Sequence, residues 1–339
     1  MNITGKTTMK ELYEYDPLKK AARYLVGCAD RNFWKTIAED CFEQMHENTP
    51  AWGVRDMVSG IQRLTVLAEQ GIPYLYDIYS GEEIQADPQK EDVKLFYFPA
   101  STEKKVTNKY VLLCSGGAYQ TVCNPQEAFP VANRLNELGI TAFALNYRTS
   151  SPQTKQIGAA PFALEDVAAA LRYIDAHCAA FGVSKGRYAM GGFSAGGHLT
   201  ALWGTKEMGY AAHKCEKPEA FFLDYAFVKF ENLDEVDPLN YGAYQIFAGE
   251  ILNEESIRRV SVLDKIDYEY PPVYLAQCRD DDTVPFSNFE AMKETLERFQ
   301  IPVKTRCAEI GQHGYGLGTE TEMEGWLDEA VDFWLGEQS

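Results

Sequence analysis

The sequence predicts an α/β fold, a mostly parallel sheet with helices on both faces, preceded by a helical N-terminal segment. Three observations lead there. From Ile72 onward, short apolar runs alternate with helical stretches long enough to serve as the crossovers that parallel strands require. Helical stretches close on glycine at Gly71, Gly139 and Gly182, where a left-handed cap meets no Cβ penalty. Glycine-rich turns follow apolar runs at Ser115-Gly116-Gly117-Ala118, Gly192-Phe193-Ser194-Ala195-Gly196 and Gly311-Gln312-His313-Gly314-Tyr315-Gly316.

Along the chain, Asp16-Pro17 is a helix start, with a cap followed by proline at the first helical position. Apolar residues then recur at helical spacing from Leu18 to about Met45, and a second helical stretch runs from Val54 to Glu69. Residues 1–71 therefore read as a helical segment, and residues 72–339 as the main domain. Tyr74–Tyr79 and Lys94–Phe98 read as an antiparallel pair. Tyr110–Cys114, Thr141–Tyr147, Arg187–Met190, Ala220–Tyr225, Val273–Cys278 and Val303–Ala308 read as further strands. Helices are expected over Gln126–Leu138, Pro161–Phe181, Ala195–Trp203, Phe286–Phe299 and Glu320–Leu335. The acidic, aromatic stretch Phe227–Tyr270 breaks this rhythm and reads as an insertion near the mouth of a site.

Composition narrows the function classes. A chain of 339 residues is ample for one large buried core, and 45% hydrophobic with 24% charged residues is ordinary for a globular protein. With 32 basic against 50 acidic residues, the net charge of −18 argues against nucleic acid or an anionic membrane as partner. The polar N-terminus has no apolar h-region and no run approaches a membrane span, so a cytoplasmic location is expected. Eight cysteines, at 28, 41, 114, 123, 178, 215, 278 and 307, form no CxxC pair. Cys114, Cys278 and Cys307 fall in apolar strands, and the set reads as buried free thiols rather than metal ligands or disulfides. No metal and no cofactor is called for.

The chemistry centres on Ser194. A serine in G-x-S-x-G at a strand-to-helix turn is held with Oγ above the sheet, and its flanking glycines avoid collisions with strand and helix. Its hydroxyl needs a base. Of the five histidines, His198 points down its own helix, His177 lies inside a long helix, and His46 belongs to the N-terminal segment. His313 sits in a glycine-rich loop after the last strand, at the same edge of the sheet as Ser194. An acid to orient it is available in Asp280-Asp281-Asp282, which follows a strand, although such a run also makes an ordinary solvated turn. Backbone donors for an oxyanion are expected from Ala195 and from Gly116, Gly117 and Ala118. A phosphate loop fits poorly, because no lysine follows the glycines.

These segments resemble the α/β-hydrolase superfamily, in particular the acetyl esterase and acetyl-xylan-esterase-like branch related to hormone-sensitive lipase. The resemblance rests on Leu113–Tyr119, Asn146-Tyr147-Arg148, Met190–Leu199, Asp281-Asp282-Thr283-Val284-Pro285 and Gly311–Gly316, and covers roughly residues 95 to 335. It implies the register Asp-x-x-Val-Pro, which selects Asp281 as the acid, and a Ser194–His313–Asp281 triad that cleaves short-chain esters, acetylated sugars among them. Ser115-Gly116-Gly117-Ala118 departs from the family's usual His-Gly-Gly-Gly loop, and the first seventy residues lie outside the pattern. Their amphipathic spacing suggests a cap bordering the acyl pocket or a contact within a homo-oligomer. Tyr119, Tyr147 and Tyr315 read either as substrate-binding rings or as core and rim residues. The alternatives are an amide hydrolase, such as an arylformamidase or small peptidase, and a non-catalytic ligand-binding member.

Overall fold

The apolar runs pair into one eight-stranded sheet in the computed structural model of the chain, which describes residues 1–101, 103–150, 157–234 and 236–336. In chain order the strands are β1 (Gly27–Cys28), β2 (Leu75–Asp77), β3 (Lys94–Phe98), β4 (Tyr110–Cys114), β5 (Thr121–Val122) and β6 (Thr141–Asn146). They continue with β7 (Tyr188–Phe193), β8 (Ala220–Asp224), β9 (Val273–Cys278) and β10 (Val303–Ala308). The sheet order is β10-β9-β8-β7-β4-β6-β3-β2. Pairing is parallel from β10 to β6, and antiparallel where β3 joins β6 and β2 joins β3. β4, β6, β7, β8 and β9 are buried throughout, as expected of strands covered on both faces. The order reverses between β4 and β7, which opens a crevice at their carboxyl ends.

The longer helices are α1 (Val54–Glu69), α2 (Ala128–Glu137), α3 (Ala159–Ala176), α4 (Ser194–Trp203), α5 (Pro238–Ala248), α6 (Glu254–Val260), α7 (Ser287–Arg298) and α8 (Trp326–Leu335). Three helical expectations need correction. The stretch from Leu18 to Met45 is not one helix. It breaks into short turns and helices because Gly27–Cys28 leaves to pair antiparallel with Thr121–Val122, and Thr8 bridges Cys41. Pro161–Phe181 is interrupted at His177, and the short helix Cys178–Phe181 then closes on Gly182 at φ 64°. The last helix begins only at Trp326, because Gly318, Glu320 and Gly325 all adopt positive φ. Cys307 is exposed on the edge strand rather than buried.

The N-terminal segment shares the core on one face of the sheet. Ile3, Met9, Leu12, Leu18 and Phe42 are buried in the same cluster as Phe96, Phe129 and Leu135. α1 presents Met57, Ile61, Leu64 and Leu67 on its inner stripe and packs on α2. Gly60 marks the closest approach, since a Cβ there would meet Pro130 N at 2.5 Å and the Phe129 carbonyl carbon at 2.7 Å. The insertion packs on the other face. Phe247 of α5 meets His198 with ring centroids 5.1 Å apart, and His198 Nε2 donates to the Val260 carbonyl at 2.8 Å. His198 Nδ1 therefore accepts from the Tyr119 hydroxyl at 2.9 Å, so the ring is neutral with its proton on Nε2. No described helix is long and apolar enough to cross a membrane.

Two stability outcomes follow from this packing. Gly60→Ala should cost about 1–3 kcal/mol in denaturant unfolding, because rigid backbone blocks the new methyl. Gly81→Ala, where nothing lies within 4 Å, should stabilise by about 0.5 kcal/mol. Burial lowers the His198 pKa to about 4, against the ordinary 6.5. Between these values the unfolded chain binds a proton that the native state refuses, so stability falls as pH falls. The contribution is fully present above pH 6.5, and about 2 kcal/mol of it is lost by pH 5. Denaturant curves of wild type and His198→Gln at both pH values should therefore converge on acidification.

Candidate active site

β7 delivers Ser194 at its carboxyl end, and the chain enters α4 there with Ser194 in the left-handed region at φ 52°. Neighbouring backbone makes this turn possible only with glycine at its flanks. A Cβ on Gly192 would lie 2.4 Å from the Gly196 carbonyl oxygen, and one on Gly196 would lie 2.1 Å from that of Cys114. Ser194 remains partly exposed.

His313 and Asp281 converge on it from β10 and β9. Ser194 Oγ lies 2.9 Å from His313 Nε2, while His313 Nδ1 lies 2.8 Å from Asp281 Oδ2 and 3.0 Å from Oδ1. The carboxylate fixes the tautomer: Nδ1 carries the proton and Nε2 accepts from the serine. Asp281 is buried and fully engaged. Its Oδ1 accepts the N–H groups of Thr283 at 3.0 Å and Val284 at 2.8 Å, and its Oδ2 accepts Gln277 Nε2 at 3.2 Å. The three consecutive aspartates divide their work. Asp280 accepts the N–H groups of Gly311 and Gln312, at 3.0 and 2.8 Å, and so holds the histidine loop. Asp282 is exposed.

The loop after β4 runs beside the serine. Gly117, Ala118 and Tyr119 all have positive φ, at 122°, 53° and 56°. Among the described residues, the N–H groups of Gly117, Ala118 and Ala195 donate to no protein acceptor. The expectation for Gly116 needs correction. Its N–H donates to Glu127 Oε2 at 2.5 Å, so it is not free to meet an oxyanion.

Of the two readings open for Tyr119, Tyr147 and Tyr315, substrate-binding rings or core residues, the structure gives the core. Tyr119 is enclosed and bonded to His198, Tyr147 donates to the Ser115 carbonyl at 2.6 Å, and Tyr315 donates to Asp224 Oδ1 at 2.7 Å. Their rings face the interior, where each hydroxyl finds a partner. Tyr147 thereby ties the end of β6 to the loop after β4. Arg148 beside it is anchored by Asp166 at 2.9 Å and Asp87 at 2.7 Å.

Sequence reasoning overlooked a buried acidic group under the site. Glu127 and Asp224 are both enclosed, and Tyr225 donates to Glu127 Oε1 at 3.1 Å. Burial pushes the Glu127 carboxyl up to about 7 and holds that of Asp224 well above the usual carboxylate range. The signal for Asp224 was present, as a carboxylate ending the apolar run Ala220–Leu223. Glu127 read only as a helix-start residue. Among the described residues no three His, Cys, Asp or Glu side chains gather as a metal site would need.

Chemically, the assembly joins a hydroxyl to an imidazole held by a buried carboxylate, beside uncommitted N–H donors, as acyl transfer requires. A family model described as BD-FAE matches residues 96–296, well over half of the chain. Endo-1,4-beta-xylanase B of Butyrivibrio fibrisolvens is 22% identical over 222 residues, 64% of this chain and 34% of that protein. The probable carboxylic ester hydrolase LipM of Mycobacterium tuberculosis is 26% identical over 214 residues, 60% of this chain and 48% of its own. This chain thus spans a third to a half of the length of those two relatives. Among solved structures, the acetyl ester-xyloside bifunctional hydrolase of Caldicellulosiruptor lactoaceticus superposes with a TM-score of 0.64 at 23% identity. That match covers 78% of this chain and 97% of the other. The superposition carries the fold and the family match carries the kinship: the chain belongs to the BD-FAE family and has an α/β-hydrolase fold.

Proposed function

We propose that the protein is a serine carboxylesterase acting on short-chain esters, acetylated sugars among them, through an acyl-enzyme. The observation that carries this reading is the unbroken hydrogen-bond chain Asp281–His313–Ser194, with distances of 2.8 and 2.9 Å. His313 Nε2 takes the hydroxyl proton as Ser194 Oγ bonds to the ester carbonyl carbon. The carbonyl oxygen becomes an oxyanion, received by the N–H groups of Ala195, Gly117 and Ala118. His313 then returns its proton to the alcohol oxygen as the ester C–O bond breaks, and water repeats the sequence to release the acid.

The short acyl group is carried over from the resemblance, and the aromatic insertion adjoins the nucleophile's turn. Phe227 donates its N–H to the Ser194 carbonyl at 3.3 Å, and its ring packs on Phe230 and Phe247. The names of the relatives, which include a xylanase, a carboxylic ester hydrolase and an acetyl ester-xyloside hydrolase, support the ester and sugar assignments. The N-terminal segment is proposed to border the base loop. A cavity of about 720 Å³ lies between His46, Pro50 and Gly53 on one side and Gln312 on the other.

Ser194→Ala should abolish turnover of p-nitrophenyl acetate in a protein with unchanged unfolding behaviour; undiminished turnover sinks the assignment. Asp281→Asn should lower kcat by about 10⁴, because the amide stabilises the wrong tautomer. Asp282→Asn should leave kcat within about twofold, and Asp280→Asn should cost only a few-fold through a looser histidine loop. Equal losses at all three positions would mean that the acid is misassigned. Across p-nitrophenyl esters, kcat/KM should fall steadily from acetate to octanoate, with acetylated xylo-oligosaccharides cleaved and N-formylkynurenine left intact.

A further inference from the structure

A carboxyl group with no ion-pair partner among the described residues lies beneath the oxyanion loop. Glu127 immediately precedes α2, yet its side chain does not cap that helix. It turns back instead. Oε2 accepts the Gly116 N–H at 2.5 Å, and Oε1 accepts the Tyr225 hydroxyl at 3.1 Å. The peptide it grips lies against the nucleophile, since a Cβ on Gly116 would stand 2.7 Å from the Ser194 Cβ. Tyr225 in turn accepts the Gly316 N–H at 3.2 Å and packs edge-on against His313, with ring centroids 4.8 Å apart. One carboxyl group therefore spans the loop after β4 and the loop that carries the imidazole.

We infer that Glu127 is a positioning residue for the proposed hydrolysis. By accepting the Gly116 N–H it fixes the direction of the Gly117 and Ala118 N–H groups, and through Tyr225 it keeps that loop in register with His313. This inference rests on the serine-hydrolase reading above and adds a residue that does not touch substrate. Burying a carboxyl is costly unless its oxygens are bonded, and here both oxygens are bonded to site elements rather than to the helix that bears them.

Both neighbours donate to it, so the ionised carboxylate is the form that holds the loop. The titratable groups around it are His313, Tyr225, Asp224, Tyr147 and Cys123. Burial pushes Tyr225, Asp224, Tyr147 and Cys123 toward their neutral forms. Burial likewise raises Glu127 to about 7, with the Gly116 N–H, His313 and Tyr225 pulling the other way. Full activity then needs Glu127 ionised, and that contribution is lost as pH falls through about 7.

The test compares wild type with Glu127→Gln and Glu127→Ala in the full chain, with p-nitrophenyl acetate as substrate and thermal unfolding as the check on folding. Glu127→Ala should lower kcat by about 100-fold, with KM changed less than about threefold. Glu127→Gln keeps an oxygen for the Gly116 N–H and should recover about tenfold of that loss. The log(kcat/KM) profile of wild type should show a drop of about tenfold as pH falls through about 7, a step that Glu127→Gln lacks. If Glu127→Ala does not fold, the pH profile and kcat of Glu127→Gln carry the test alone. A Glu127→Gln enzyme with wild-type kcat and a superimposable acid limb overturns the inference, as do equal losses in two folded variants. Turnover surviving in Ser194→Ala would bring down the serine reading and this one together. An inactive Ser194→Ala beside an unperturbed Glu127→Gln overturns this one alone.

Discussion

Strand direction is the constraint on which the rest of the structure depends. Two parallel neighbours can be joined only by a crossover that carries the chain back along the sheet, so all their carboxyl ends emerge at one edge. β4, β7, β8, β9 and β10 are parallel, and each is followed at that edge by a residue of the site or its support. Ser115–Tyr119, Ser194, Tyr225, Asp281 and His313 are separated by up to two hundred residues of chain, yet they meet there. The reversal of strand order between β4 and β7 then opens the space into which the serine points.

The second constraint is the cost of burying polar groups. At this edge, side chains that would be costly alone satisfy one another in pairs. His198 donates to Val260 and accepts from Tyr119. Tyr315 donates to Asp224, Tyr225 to Glu127, and Tyr147 to Ser115. Each bond joins segments that are distant along the chain, so the polar interior doubles as the scaffold of the site. Among the described residues Asp224 Oδ2 has no partner, and burial holds its carboxyl well above the usual carboxylate range. Rigid placement of this kind holds the serine and the imidazole at hydrogen-bond distance.

Two additions flank the sheet, and they act differently. The N-terminal segment surrenders much of its apolar surface to the core shared with α2 and α8, and its strand β1 pairs with β5 just beyond the loop after β4. It thus shares the core on that face of the sheet and adds a separate two-stranded pair beside the loop after β4. The insertion carries α5 and α6 and places Phe227, Phe230 and Phe247 around His198. His198 lies four residues after the serine, on the same helix and away from the site chemistry. Its bond to Val260 fastens the insertion to α4, and its bond to Tyr119 fastens the loop after β4.

Much of this was legible in the sequence for local reasons. Ser194 between its glycines, the strands Val273–Cys278 and Val303–Ala308, and helix Val54–Glu69 are set by patterns a few residues long: apolar period, glycine punctuation and turn chemistry. The same locality misread Leu18–Met45. Helical spacing there is real, but pairing of Gly27–Cys28 with a strand nearly a hundred residues away overrides it. Long-range contacts also decided which residues work. Asp280, Asp281 and Asp282 are equivalent as carboxylates; the resemblance's Asp-x-x-Val-Pro register picks out Asp281, and the fold turns it toward the imidazole while Asp280 holds the loop. Glu127 looked like the start of a helix, and Gly116 like a free donor, until tertiary structure brought the one onto the other. A sequence determines which groups and turns are available. Which of them are buried together, and therefore charged, neutral or spoken for, is a property of packing between distant segments, because desolvation and hydrogen bonding act through space rather than along the chain.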